Sequence, residues 1–164
     1  MHVTKRQVAA RPAAAAVEFA IILPLLVFLL FGIWEVGRMV QVQQILDNAA
    51  REGARSASTG ARSLSEVEQI VERNLSAGGL NTTGLTIRVH NLTLNPTAAL
   101  DDPSDDPMAA SQLHHLRVHV RLPFNNVRWV LVDQITNVTQ LRATAHWLSM
   151  KDQPIVINTE LPRG

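Results

Sequence analysis

The chain has 164 residues, with 15 Lys and Arg against 14 Asp and Glu and a formal net charge of +1. A balance so close to neutral gives no electrostatic basis for nucleic-acid binding. Four Phe, three Trp and no Tyr leave little aromatic surface on which single-stranded bases would stack. Because there is no cysteine, disulfides, thiol catalysis and cysteine-based zinc sites are excluded. The length allows one membrane segment and one small domain.

An apolar run covers residues 13–34 and contains a single charged residue, Glu18. At a rise of 1.5 Å per residue the run reaches roughly 33 Å, enough to cross a bilayer. Lys5, Arg6 and Arg11 precede it without any acid, which predicts a cytoplasmic N-terminus and an exported remainder. A carboxylate inside such a run costs roughly 2.5–3.5 kcal/mol near the bilayer centre, so Glu18 is the main clue to function.

The helical pattern continues past the apolar run to about residue 58, with Pro24 expected to kink the membrane segment. Ala49, Gly53 and Ala57 recur every four residues, a spacing that lets another backbone approach closely. We expect this small-residue face to pack against the helices of neighbouring subunits. The alternative is that it packs on the sheet of its own domain.

The remainder of the chain predicts a small α+β domain. Ser63 and Glu66 have the spacing of a capping box that starts a second helix over about residues 64–77. Three segments then alternate between apolar and polar residues, at about 85–90, 116–121 and 141–147. They predict an antiparallel sheet of about three to four strands with one face on the helices. Residues 126–135, with Trp129, are ambiguous between a short helix and irregular structure.

The polar positions of these strands collect basic residues: Arg88, His90, Arg117, His119, Arg121, Arg142 and His146. If His90, His119 and His146 converged, they would form a three-histidine metal site. The neighbouring arginines would repel a metal ion, so we expect instead a solvated, mildly basic face, with docking of an acidic partner as an alternative use.

Residues 101–107 form an acidic segment broken by prolines, without the spacing of an EF-hand, and predict an exposed, mobile loop. The sequence also lacks the nucleophile elbow, the phosphate-binding glycine loop and the H-E-x-x-H zinc motif. We therefore predict no catalytic residues, no cofactor, no bound metal and no small-molecule substrate.

Three motifs carry a resemblance to a known family: AAAVEFA at 14–20, FGIWEVGR at 31–38 and NAAREGAR at 48–55. Over residues 11–57 the chain resembles the TadE-like proteins, which are minor pilins or pseudopilins of the tight-adherence (Flp-type) pilus system. The resemblance implies a single-pass protein of the bacterial inner membrane with a pilin-like head. Its expected partners are the membrane, other pilin subunits and a prepilin peptidase, with no nucleic acid.

The resemblance also implies roles for particular residues. The peptidase would cut between Ala13 and Ala14, leaving Glu18 as the fifth mature residue and Phe19 as the sixth. Glu18 would then pair with the freed N-terminal amine of a neighbouring subunit, which offsets the desolvation of both charges. The predicted helix-packing positions are Glu18, Pro24, Gly32, Ala49, Gly53 and Ala57.

The predicted organisation has four parts: a cytoplasmic leader at 1–13, a transmembrane helix at 14–34, its extramembrane continuation at 35–58, and an exported head at 59–164. The predicted function is that of a minor pilin that helps to assemble a pilus or a related secretion filament. Two other functions remain open at this point. One is an uncleaved, membrane-anchored binding module, and the other is a metal-binding or enzymatic head.

Overall fold

A computed structural model of the protein describes residues 10–127 and 139–151, with side chains from residue 14 onward. Most of the ambiguous stretch 126–135, including Trp129, therefore lies outside the described residues. The chain forms two compact units that meet in sequence between Met39 and Val40. Two α-helices are followed by three β-strands, which confirms the predicted α+β class.

The N-terminal helix, α1 (Ala10–Ser58), runs through Pro24 as one helix. It begins four residues before the predicted membrane segment and ends at the predicted residue. From Ala14 onward it is long and apolar enough to cross a membrane, and none of its most apolar part is buried. In the first unit its large apolar side chains are exposed; Phe28, for example, is 71% exposed. A core helix of a soluble domain would bury such side chains, so their exposure supports a membrane-anchored protein.

The second helix, α2 (Leu64–Ala77), has the predicted bounds and the predicted capping box. The Glu66 N–H donates to the Ser63 hydroxyl at 3.4 Å, and the Ser63 N–H donates to the Glu66 carboxylate at 2.8 Å. These reciprocal bonds satisfy two backbone donors that the first turn of a helix leaves without partners. One face of α2 is buried and consists of Val67, Val71 and Leu75.

The described strands form one antiparallel sheet with the order β1-β2-β3. Their bounds are β1 (Thr86–Asn91), β2 (His115–Pro123) and β3 (Gln140–Leu148), close to the three predicted segments. In each strand the apolar side chains stand at every second position. They point inward together, because successive side chains of a strand alternate between the two faces of the sheet. Trp147 continues this alternation and pairs with the inward-facing Leu116, but near the end of β3 it is 38% exposed.

The core of the head lies between the inner face of the sheet, α2 and the second part of α1. At Gly53 these elements approach one another closely. A Cβ atom added there would lie 2.5 Å from Val71 Cγ2 and 3.5 Å from Val118 Cγ1. All three elements contribute fully buried side chains to the core: Leu46, Ala54, Val67, Val71, Leu75, Val89, Leu116, Val118, Val120 and Leu122.

Candidate functional site

Glu18 is an exposed carboxylate within an exposed apolar helix surface. Its neighbours on the helix include Val17, Phe19 and Ile21, each more than half exposed. No side chain in the part of the chain that the structure describes pairs with Glu18. In a membrane this carboxylate would need a partner of opposite charge, or a position near the interface, to offset its desolvation.

The other residues predicted for processing and packing lie on the same helix. Ala13 and Ala14 are both within α1, so the predicted cleavage point falls inside the helix, after its first turn. Pro24 is helical, and Gly32 faces open space, since a Cβ added there would meet nothing within 4 Å. Gly32 therefore leaves room for a neighbouring helix to approach closely.

The predicted small-residue face of α1 packs against other elements of its own head. Ala49 and Ala57 are at most 1% exposed, and Gly53 is buried against α2 and β2. This face packs within its own head, which was the alternative, and the expectation that it packs between subunits is corrected. The small side chains are needed here because α1 lies close to the sheet and to α2.

The basic residues of the strands occupy the outer face of the sheet, opposite the core. The strand register places them in three cross-strand rows, in the order β1, β2, β3: Thr86–Arg121–Arg142, Arg88–His119–Thr144 and His90–Arg117–His146. We call these nine residues the outer grid, with His119 at its centre. The sequence predicted a solvated face, but His90 and His119 are each only 1% exposed.

The segment that joins β1 to β2 is the reason for part of this burial. The Asp105 N–H donates to the Val89 carbonyl at 2.8 Å, and the Asn91 N–H donates to the Asp105 carboxylate at 2.7 Å. The Ser104 hydroxyl accepts from the Val89 N–H at 3.2 Å. The acidic segment was predicted to be an exposed, mobile loop; most of its residues are exposed, but the segment is bonded along the edge of β1 instead of lying free of the sheet.

His90 is held under this segment by two partners. Arg117 Nη2 lies 3.2 Å from His90 Nδ1 and also donates to the Ala98 carbonyl at 2.7 Å. Because a guanidinium only donates, Nδ1 must accept, and the ring proton lies on Nε2, which is 3.2 Å from the Asp102 carbonyl. Nothing in the sequence pattern indicated this arrangement.

His119 is bonded to Thr144, with 2.9 Å between Nδ1 and Oγ1. Burial lowers the pKa of His119, and the positive charges of Arg121, Arg142 and Arg117 lower it further. His146 lies beside His115 rather than His119, with 3.2 Å between Nδ1 and Nε2. Its pKa is lowered by burial and by the charges of His115 and Arg117.

The three histidines considered for a metal site are therefore not brought together. Each has a different partner: Arg117 for His90, Thr144 for His119 and His115 for His146. Within residues 10–127 and 139–151, no group of three or more His, Cys, Asp or Glu side chains is placed to hold a metal ion. The pairing of His115 with His146 was not predicted from the sequence, although His115 extends the alternation of β2 by one step.

Comparison with known proteins supports the reading of the N-terminal helix. The family model described as TadE-like protein matches residues 13–55, about a quarter of the chain. No curated protein and no solved structure shows a significant match. The matched segment contains Glu18 and all three motifs from which the family was predicted. The predicted resemblance is thus confirmed for this segment: over residues 13–55 the chain is similar to TadE-like proteins, and the same helix is long and apolar enough to cross a membrane.

Proposed function

We propose that this protein is a minor pilin that takes part in assembling a tight-adherence pilus or a related secretion filament at the bacterial inner membrane. The observation that carries the proposal is the single exposed carboxylate, Glu18, in an exposed apolar helix within the TadE-like match. A plain membrane anchor has no use for a carboxylate at this position, and its cost in hydrocarbon would select against it.

Assembly gives Glu18 a physical role. If a prepilin peptidase cuts between Ala13 and Ala14, each subunit gains a positively charged amine four residues before Glu18. Placed in a bundle of such helices, the amine of one subunit and Glu18 of another neutralise each other in a low-dielectric environment. Because an unpaired charge is costly there, the pair fixes one axial register between neighbouring helices.

The exposed part of α1 supplies the packing surface for that bundle. Its apolar side chains give dispersion contacts, and Gly32 offers a place of close approach. Pro24 lies between Glu18 and Gly32 and lacks the N–H that a straight helix would use. These three positions, rather than the buried small-residue face, are therefore the proposed inter-subunit contacts.

Processing is tested by the intact mass and N-terminal sequence of the protein extracted from the membrane of its host. We expect a chain that starts at Ala14. The family usually has Gly before the cut where this chain has Ala13, so Ala13→Gly should be cut at least as completely. A full-length chain in both proteins would contradict processing. Since the cut lies near the start of α1, we expect the first turn to unwind for the peptidase, as helix ends readily fray.

The role of Glu18 is tested with Glu18→Gln, which keeps the shape and removes the charge. We expect normal membrane insertion but loss of incorporation into sheared filaments, measured by immunoblot of membrane and filament fractions. Val17→Ala is the matched control, because Val17 is the adjacent exposed residue and carries no charge. Normal incorporation of Glu18→Gln would remove the proposal.

The second candidate function is an uncleaved, membrane-anchored binding module. Ala13 at the cleavage position favours it, as does the helical conformation on both sides of that position. It predicts a chain that retains its leader and is indifferent to Glu18→Gln. The two experiments above therefore separate the two functions.

A further inference from the structure

The outer grid concentrates positive charge on a small surface. It contains four arginines: Arg88, Arg117, Arg121 and Arg142. Arg121 and Arg142 are directly opposite each other on adjacent strands, where like charges destabilise a sheet. Asp101 pairs with Arg121 and offsets one of the four charges. The protein thus holds an excess of positive charge that its own described residues do not neutralise.

The grid also contains hydrogen-bond donors without acceptors. The Nε atoms of Arg88, Arg117 and Arg121 are buried and have no hydrogen-bond partner, and the same holds for His119 Nε2. An arginine Nε can only donate, so the group that would satisfy these atoms must present acceptor oxygens. Buried donors left without partners in a folded protein point to an occupant such as a water molecule or an ion.

From this combination we infer that the outer grid is a binding site for a phosphate-type oxyanion. The arginines would supply paired N–H donors, the geometry that suits a tetrahedral anion, with His119 beneath them. The site does not suit a metal ion, because four guanidinium groups would repel it. The salt bridge of Asp101 to Arg121 is an internal example of the same recognition, an anionic oxygen held by a grid arginine.

The grid is accessible from the side of β3. On the side of β1 the 92–113 segment covers His90, and Arg117 is held by the carbonyls of Ala98 and Ala99. On the side of β3, Arg142 and Thr144 are exposed. An anion would therefore reach Arg121 and Arg142 first and lie over the Arg88–His119–Thr144 row.

The test measures thermal unfolding of the full-length protein in detergent, followed by tryptophan fluorescence. Sodium phosphate is compared with sodium chloride at equal ionic strength, so that general screening cancels. We expect phosphate at ten times its Kd to raise Tm by about 4–6 °C over chloride, as ligand linkage predicts for a domain of this size. Titration calorimetry should give one phosphate per chain.

Two variants locate the site. Arg142→Gln and Arg88→Gln should each weaken phosphate binding about tenfold, the usual effect of losing one charged hydrogen-bond donor. Arg51→Gln is the matched control, since Arg51 is exposed on α1 and belongs to no part of the grid. Arg142 is exposed as well, so its variant should fold normally.

The inference is overturned if phosphate and chloride give equal Tm values, or if Arg142→Gln binds phosphate as tightly as the wild type. A parallel titration with glycerol phosphate identifies the source of the group. Tighter binding of the ester supports a phosphoryl group carried by a larger molecule, whereas tighter binding of inorganic phosphate supports the free ion. None of these outcomes depends on pilus assembly, so the site and the proposed function succeed or fail separately.

Discussion

Both parts of α1 contain many apolar residues, but these residues are exposed in the first part and buried in the second. Between residues 14 and 34 large side chains are exposed, and Leu29 is 56% exposed. Between residues 42 and 57 the inward side chains are buried, and Leu46 is 0% exposed. The first part is suited to a partner outside the chain, lipid or another helix, whereas the second is committed to its own head. Helical periodicity in a sequence therefore does not predict whether lipid, another chain or the protein's own domain packs against the helix.

The largest effect should separate two leucines of this one helix. Leu46→Ala should lower the free energy of unfolding of the head by about 2–5 kcal/mol, because it leaves a cavity in a fully buried site. Leu29→Ala should change it by less than about 0.5 kcal/mol, as for exposed positions in general. Urea unfolding of the full chain in detergent, followed by Trp fluorescence, measures both. If both variants lost the same amount of unfolding free energy, the division of α1 into an exposed part and a buried part would be wrong.

Two glycines of α1 differ in their surroundings in the same way as the two leucines. Gly53→Ala should destabilise the head by about 1–3 kcal/mol, because the new methyl group would lie 2.5 Å from Val71 Cγ2. Gly37→Ala meets nothing within 4 Å and should be neutral or stabilising, since alanine favours a helix by up to about 1 kcal/mol. The same unfolding assay applies. A stable Gly53→Ala protein would mean that α1 and α2 separate easily.

The smallest effect concerns pH and only the head. Because the pKa of His119 is lowered on folding, the unfolded chain binds a proton more readily than the folded one. Stability should be unaffected above the unfolded pKa of about 6.5 and should fall as the pH drops from there through the folded pKa. His119→Gln should reduce this slope, and His146→Gln should reduce it less because His146 is exposed. Tm measured from pH 7.5 to 5 tests this, and an unchanged slope in His119→Gln would contradict it.

Local signals were sufficient for most of the fold. Ser63 and Glu66 fixed the start of α2 because a capping box depends only on residues three apart. The alternation in 116–121 located β2 because each inward residue reports burial directly. The family motifs around Glu18 were sufficient for the match to TadE-like proteins.

Long-range contacts explain what the sequence could not predict. Asp105 bonds to Asn91 across 14 residues, and no local pattern indicates that an acidic, proline-containing segment will follow a strand edge. The burial of His90 and His119 depends on that segment and on the strand register. Likewise, Ala49 and Gly53 have a spacing that suits any close helix contact, so only the tertiary structure shows that their neighbours belong to the same head.

The bonding of the 92–113 segment to β1 has a consequence for how copies of this head can associate. Ser104 and Asp105 occupy the N–H and C=O groups of Val89 and the N–H of Asn91, which a sheet edge would otherwise offer to another chain. Extension of the sheet from β1 would require displacing this segment first. Copies of this head that meet at the β1 edge are thereby protected from the strand-to-strand aggregation that open sheet edges promote.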